Sequence, residues 1–270
     1  MNDAVITLDA HGTLLRLEPP APRIAQALTD AGFANPYPQV EAGFAAEVKH
    51  YLTHLSTGLD EEGLLKLRRQ CADVMRECLD NPPPGELMTD LLIESMTFRL
   101  YPDSEPALDA LDAAGYRLAV VSNWDCSLGR TLDSLGVSDR FEAVVTSAEA
   151  GYAKPDPVLF DRALAQLDVP AERALHCGDV PEADCLGAHR AGMQAVHLER
   201  DGGTGASWPG VVIASLTELP DLADTMLGVG DGVGRNLSCR ADQASTSDLL
   251  HLDRVSLDRW AVACERGVAG

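Results

Sequence analysis

Residues 4–13, Ala4-Val5-Ile6-Thr7-Leu8-Asp9-Ala10-His11-Gly12-Thr13, decide how this chain is read. The first six form a short apolar run with β-branched members, and His11-Gly12-Thr13 is a turn signal. That is the pattern of a buried strand delivering a carboxylate, Asp9, to its end. The pattern recurs at YRLAVVSN (116–123), FEAVVTS (141–147), RALHCGD (173–179) and MQAVHLE (193–199). Segments of helical spacing at 104–114, 127–135, 157–167 and 182–191 alternate with these runs. Strands alternating with helices of about 10–15 residues predict an α/β fold: a Rossmann-like parallel sheet with right-handed crossovers, which the first strand joins.

Between the first strand and the rest lies a stretch of different character. A proline-rich break at Glu18-Pro19-Pro20-Ala21-Pro22 opens a block with helical spacing and no convincing strand. Its expected helices are 23–31, 39–55, 61–79 and 85–98, punctuated by Asn35-Pro36 and Asn81-Pro82-Pro83-Pro84. The expected organisation is a hydrolase-type core from residues 1–17 and 99–224, an inserted all-helical cap at 18–98, and a tail at 225–270. Within the second half of the core, Val211–Ile213 reads as a last edge strand and 217–223 as a short helix. The tail loses sustained periodicity and is read as flexible, with one amphipathic helix at 249–263. Its glycines, GVGDGVG at 228–234, have no strand before them and read as linker.

Composition sets limits on function. A 270-residue chain with 46% hydrophobic and 23% charged residues can bury a sizeable core, which excludes collagen, coiled coil and short disulfide scaffolds. Its formal charge of −21 argues against nucleic acid and anionic membranes as partners. No apolar run approaches the roughly 18 residues of a membrane span, and the start, MNDAVITLDA, carries no basic region leading into an apolar signal segment. The expected location is cytoplasmic, as a monomer or homodimer. Seven cysteines with no CxxC pair suggest neither a disulfide framework nor a zinc site. His50 and His54 stand at i, i+4, yet the acid of a zinc-protease helix is absent between them.

In open parallel sheets, ligands bind beyond the carboxyl ends of strands. Polar residues gather there: Asp9 with His11, Gly12 and Thr13; Ser122-Asn123; Lys154-Pro155-Asp156-Pro157 in a later loop; and Gly178-Asp179 with Asp184 close behind. Asp9 and Asp179 at neighbouring strand ends form an oxygen-rich site for a hard cation, and Mg²⁺ takes one or two carboxylates plus waters and phosphate oxygens. Lys154 and the Ser122 hydroxyl, with Asn123 beside them, can hold phosphoryl oxygens while an Asp9 oxygen attacks phosphorus.

LDAHGTLL, VVSN, KPDPVLF and HCGDVPEAD, in that order over residues 9 to 184, resemble the four motifs of the haloacid dehalogenase-like hydrolase superfamily. The resemblance covers about residues 1–224 and implies a Rossmann-like core with a helical cap inserted after strand one. It implies Asp9 as nucleophile, Ser122 and Lys154 as phosphoryl-binding groups and Asp179 as a Mg²⁺ ligand. The backbone carbonyl of His11 is implied as a further metal ligand, and Asp184 as a ligand or its supporting partner. The expected activity is Mg²⁺-dependent hydrolysis of a small phosphorylated metabolite through an aspartyl phosphate.

One position departs from the pattern. Phosphatases of the superfamily usually carry a second Asp two residues after the nucleophile, which protonates the leaving oxygen and later activates water; here it is His11. A histidine titrates near neutrality and could take over that work. Dehalogenases of the superfamily also lack the second Asp, and metal-free 2-haloacid dehalogenation is the alternative. Against it, this chain keeps Gly178-Asp179 and Asp184, and GFAAEVKHYLTHL contains no Arg to hold a halide. A catalytically weak protein that uses the scaffold for binding is the alternative from another class.

Overall fold

The computed structural model describes residues 3–200 and 208–228. In chain order the elements are β1 (Val5–Leu8), β2 (Leu15–Leu17), α1 (Pro20–Asp30), α2 (Tyr37–Thr53), α3 (Glu61–Arg76), α4 (Gly85–Ser95), β3 (Phe98–Leu100), α5 (Ser104–Ala113), β4 (Arg117–Ser122), α6 (Leu128–Ser134), β5 (Ala143–Thr146), α7 (Ser147–Ala150), α8 (Pro157–Leu167), β6 (Ala174–Gly178), α9 (Leu186–Arg190), β7 (Gln194–Leu198), β8 (Val211–Ile213) and α10 (Leu219–Leu227). The described residues divide into two compact units, one formed by residues up to Arg16 and those from Leu100 to Gly228, the other by Leu17–Arg99. The sequence readings beyond residue 228, the tail and its helix at 249–263 among them, lie outside the described residues.

The first unit is the expected α/β fold. Its sheet has the order β5-β4-β1-β6-β7-β8 with every neighbouring pair parallel. β1 is buried along its whole length, as a central strand covered on both faces must be. Helix α8 supplies Leu159, Phe160, Ala163 and Leu164 to a core shared with Val5, Ala119, Val121 and Ala174. It begins sharply because the Asp156 carboxylate accepts from the Val158 amide at 3.0 Å and Pro157 occupies the first turn, where its missing N–H costs nothing. From β1 the chain builds outward to β4 and β5 on one side, then to β6, β7 and β8 on the other. The strand order therefore reverses at β1, and the ends of β1, β4 and β6 bound the crevice where α/β sheets bind ligands.

The second unit is helical. Ile24, Leu28, Val40, Phe44, Leu67, Met75 and Met88 from α1 to α4 form one apolar core. α1 starts at Pro20, ahead of the expected 23, since proline fits a helix's first turn. α3 is capped by Asp60, whose carboxylate accepts from the Gly63 amide at 2.8 Å.

Several elements differ from the sequence reading. β2 and β3 pair in a small two-stranded sheet that was not expected, because three residues are too few to show an alternation. α4 stops at Ser95, not 98, where Met96 turns to extended backbone and leads into β3. The helix expected at 182–191 is one wide turn, Pro181–Cys185, followed by the short α9. The helix expected at 217–223 begins as a tight turn and runs on as α10 to Leu227, ending at Gly228 with a positive φ of 66°. Among the described residues, no helix is long and apolar enough to cross a membrane.

Candidate active site at the ends of β1, β4 and β6

Asp9 follows β1, its amide donating to the Cys177 carbonyl of β6 at 3.0 Å. Its carboxylate is buried, and its two oxygens are treated differently. Oδ1 accepts from the Ser122 hydroxyl at 2.9 Å and from the Lys154 ammonium at 2.6 Å. Oδ2 accepts no hydrogen bond from the described residues. The Ser122 hydroxyl thus turns toward Asp9.

Lys154 is buried, at 6% exposure, and far from an ordinary surface lysine. Its ammonium donates to Asp9 Oδ1, to Asp184 Oδ1 at 2.5 Å and to the Val121 carbonyl at 2.9 Å, which uses all three N–H bonds. Asn123 grips the same residue by its backbone: its Oδ1 accepts from the Lys154 amide at 2.8 Å and its Nδ2 donates to the Lys154 carbonyl at 3.2 Å. The Lys154-Pro155 bond is cis.

Asp184 lies on the wide turn after β6. Besides Lys154, its Oδ1 faces His176 Nε2 at 3.3 Å, and its Oδ2 accepts from the Val180 amide at 2.8 Å. Gly178 makes this possible, because a Cβ there would overlap the Asp184 carboxylate. Asp179, half-buried, is the more open acid. It sits against Gly12, whose φ of +89° and lack of a Cβ admit its carboxylate, and the Thr13 hydroxyl lies 3.5 Å from its Oδ1. One oxygen from each of Asp9, Asp179 and Asp184 falls within 4.8 Å of the others.

The charges are strongly coupled. Burial pushes the Asp9 carboxyl above the usual carboxylate range, with Lys154 opposing and Asp184 adding to the rise. Burial acts on Asp184 in the same direction, but Lys154 and the His176 hydrogen bond outweigh it and hold Asp184 well below that range. For Lys154, burial is outweighed by Asp184 and Asp9, which keep the ammonium charged. His11, on the turn after Asp9, keeps part of its surface open, yet burial of its ring lowers it to about 4.

The seven candidate site residues Asp9, His11, Ser122, Asn123, Lys154, Asp179 and Asp184 lie in this one unit; hydrogen bonds join Asp9, Ser122, Asn123, Lys154 and Asp184, and Asp179 belongs to the carboxylate cluster. Sequence reading missed His176. Its Nδ1 lies 2.8 Å from the Thr7 hydroxyl, its ring meets Phe160 edge-on at 4.9 Å, and burial lowers its basicity. The Asp184 carboxylate can only accept, so the tautomer that pairs the two groups carries its proton on Nε2. The signal was an imidazole inside the otherwise apolar strand ALHCG.

The profile of haloacid dehalogenase-like hydrolases matches residues 4–192. The chain belongs to this family. Among curated proteins, this haloacid dehalogenase-like hydrolase is 35% identical over 126 residues to haloacid dehalogenase-like hydrolase domain-containing protein 3 of Danio rerio, covering 46% of this chain and 52% of that one. It is 37% identical over 116 residues to the phosphoserine phosphatase of Thermus thermophilus, covering 43% and 47%. The chain thus spans about half the length of these curated relatives. A solved 2-haloacid dehalogenase from Pseudomonas syringae pv. Tomato superposes with a TM-score of 0.55 at 25% identity, over 81% of this chain and 97% of that one. Phosphatase and dehalogenase relatives both occur, so chemistry has to be argued from the site.

Proposed function

We propose that this family member is a Mg²⁺-dependent phosphoric monoester hydrolase acting on a small phosphorylated metabolite through an aspartyl phosphate on Asp9. The observation that carries the reading is the charge balance at the strand ends: three clustered carboxylates face one ammonium whose hydrogen bonds are all used by protein. Such an all-oxygen, net-negative donor set suits a hard divalent cation, with Asp9 and Asp179 as the carboxylates to hold it and the His11 carbonyl as a further oxygen. Asp184 serves as the anchor of Lys154. When bound, Mg²⁺ supplies the positive charge that lets a phosphate dianion approach this acidic site.

The residues then divide the work. Lys154 and Ser122 hold Asp9 Oδ1, leaving Oδ2 to attack phosphorus as the bond to the leaving oxygen breaks. Water releases phosphate from Asp9 in the second step. Asn123 locks the backbone of Lys154, which fixes the direction of its side chain.

The dehalogenase reading is favoured by one observation, the non-acidic His11. The same three carboxylates oppose it, because without a cation they repel a haloacid's own carboxylate. The deciding experiment is hydrolysis of p-nitrophenyl phosphate and acetyl phosphate by the full chain, with and without Mg²⁺, beside Asp9→Asn. Metal-dependent turnover lost in Asp9→Asn is expected. Halide release from 2-haloacids without metal, and no phosphate release, would overturn the proposal.

A further inference from the structure

Arg200 follows β7 and lies outside all four sequence motifs, yet it reaches the turn beyond Asp9. Its Nη2 donates to the Thr13 carbonyl at 2.9 Å and its Nε to the Gly12 carbonyl at 3.4 Å. The guanidinium stacks 4.0 Å over the Tyr101 ring, and Nη1 donates to Asp103 Oδ2 at 2.8 Å. Asp103 is itself held by the Ser215 hydroxyl at 2.9 Å and the Leu216 amide at 2.8 Å. The cation is thus braced from behind by an ion pair and an aromatic face, and it presents its fork to two successive carbonyls. A planar guanidinium holds its donors in a fixed fork that suits this arrangement, whereas an ammonium is a compact point charge without that fork.

The opposite side of that turn faces the carboxylates. Gly12 is the residue whose missing Cβ admits the Asp179 carboxylate, and the Thr13 hydroxyl lies beside Asp179 Oδ1. The turn's own hydrogen bonds leave the Gly12 and Thr13 carbonyls to Arg200: Gly12 donates to the Leu15 carbonyl, while the amides of Leu14 and Leu15 both go to the Ala10 carbonyl.

We infer that Arg200 is a positioning residue: by clamping the Gly12 and Thr13 carbonyls it fixes the turn against which Asp179 rests, and so holds Asp179 at cation-sharing distance from Asp9. The inference rests on the Mg²⁺ reading above. It assigns to Arg200 no contact with substrate. Its effect passes through the turn to the affinity of the carboxylate pair for the metal.

The test is Mg²⁺ affinity, measured by isothermal titration calorimetry on full-length protein at a temperature where circular dichroism shows every variant folded. Arg200→Met is expected to weaken Mg²⁺ binding about tenfold or more, the usual consequence of removing a group that orients a metal ligand. Arg200→Lys, which keeps the charge and loses the planar fork, is expected to fall between Met and wild type, and it decides the matter if the Met variant does not fold. Leu111→Ala, a cavity at a fully buried side chain of α5 far along the chain from the turn, controls for general loosening and should keep wild-type affinity while lowering Tm. Wild-type Mg²⁺ affinity in both Arg200 variants would overturn the inference while leaving the metal reading intact. So would equal weakening in Leu111→Ala. Absence of Mg²⁺ binding by the wild type would overturn the metal reading itself, and this inference with it.

Discussion

The two units bury acids by opposite means. In the α/β unit, Asp9 and Asp184 share the Lys154 ammonium, and Asp184 stays ionised although hardly any of it is exposed. In the helical unit, Glu47 of α2 is 8% exposed, no cation pairs with it among the described residues, and burial pushes it up to about 7, with a Cys71 hydrogen bond opposing. The comparison separates two costs. A buried charge can be kept where a cation and hydrogen-bond donors surround it, whereas a buried carboxyl with no cation beside it holds its proton to higher pH. The first arrangement leaves ionised oxygens at strand ends where chemistry can use them. The second leaves an acid in a helical core that holds its proton up to about pH 7.

Breaking the first arrangement should have the largest effect. Lys154→Met, close to isosteric, strands Asp9 and Asp184 without their shared cation. Loss of one partner from a buried ion pair typically costs about 3–5 kcal/mol, so urea unfolding of the full chain at pH 7 should show a drop of that order. Metal-dependent turnover should vanish as well, since Asp9 Oδ1 loses its strongest donor. A drop below about 1 kcal/mol would mean that the knot behaves like a solvent-screened pair, and the contrast with Glu47 would dissolve.

The second arrangement makes a prediction with a definite sign. Glu47 is near 7 in the folded chain against its ordinary value of 4.5, so the native state binds the extra proton between those limits. Its contribution to stability is therefore complete below about pH 4.5 and is lost as pH rises to 7, after which it is flat. A shift of this size corresponds to about 3 kcal/mol at one pKa unit per 1.36 kcal/mol. Unfolding free energies of wild type and Glu47→Gln, compared at pH 5 and pH 8, should show a decline in the wild type that the glutamine variant lacks. Parallel pH dependence in the two proteins would show that Glu47 finds a charge partner in solution.

The same contrast explains what could be read from sequence. The strand-turn pattern at 4–13 and its four repeats were legible because fully buried parallel strands are continuous apolar runs, and the acids at their ends interrupt those runs. Asp9, Ser122 and Asp179 were legible for that reason, and Lys154 from the loop Lys154-Pro155-Asp156-Pro157. Contacts between residues far apart in sequence were not. Nothing near Asn123 announces that it grips the backbone of Lys154, and nothing in the turn at Gly12 points to Arg200. His176 stands in plain view in ALHCG, but its role depends on Thr7 and Asp184 meeting it across neighbouring strands. The split of 182–191 into a turn and α9 was hidden because a turn of helical spacing carries the same apolar periodicity as a helix.

His11 gives the smallest expected effect and the closest test of where the boundary between the two regimes runs. It sits on the turn beside the charged knot, yet burial treats it as it treats Glu47, driving it toward the neutral form, at about 4. An imidazole with so low a pKa has no proton to give a leaving group at pH 7 and is a feeble base for water, so the general acid–base gain of about 10²–10⁴ available to a well-tuned group is forgone. His11→Ala should therefore keep kcat/KM for p-nitrophenyl phosphate at pH 7 within about tenfold of wild type, or about 1.4 kcal/mol of barrier. The backbone carbonyl, which the substitution retains, should keep Mg²⁺ dependence unchanged. A loss of a hundredfold or more, growing with the pKa of the leaving alcohol, would place the ring inside the charged regime and make it the proton carrier that the missing second aspartate would have been.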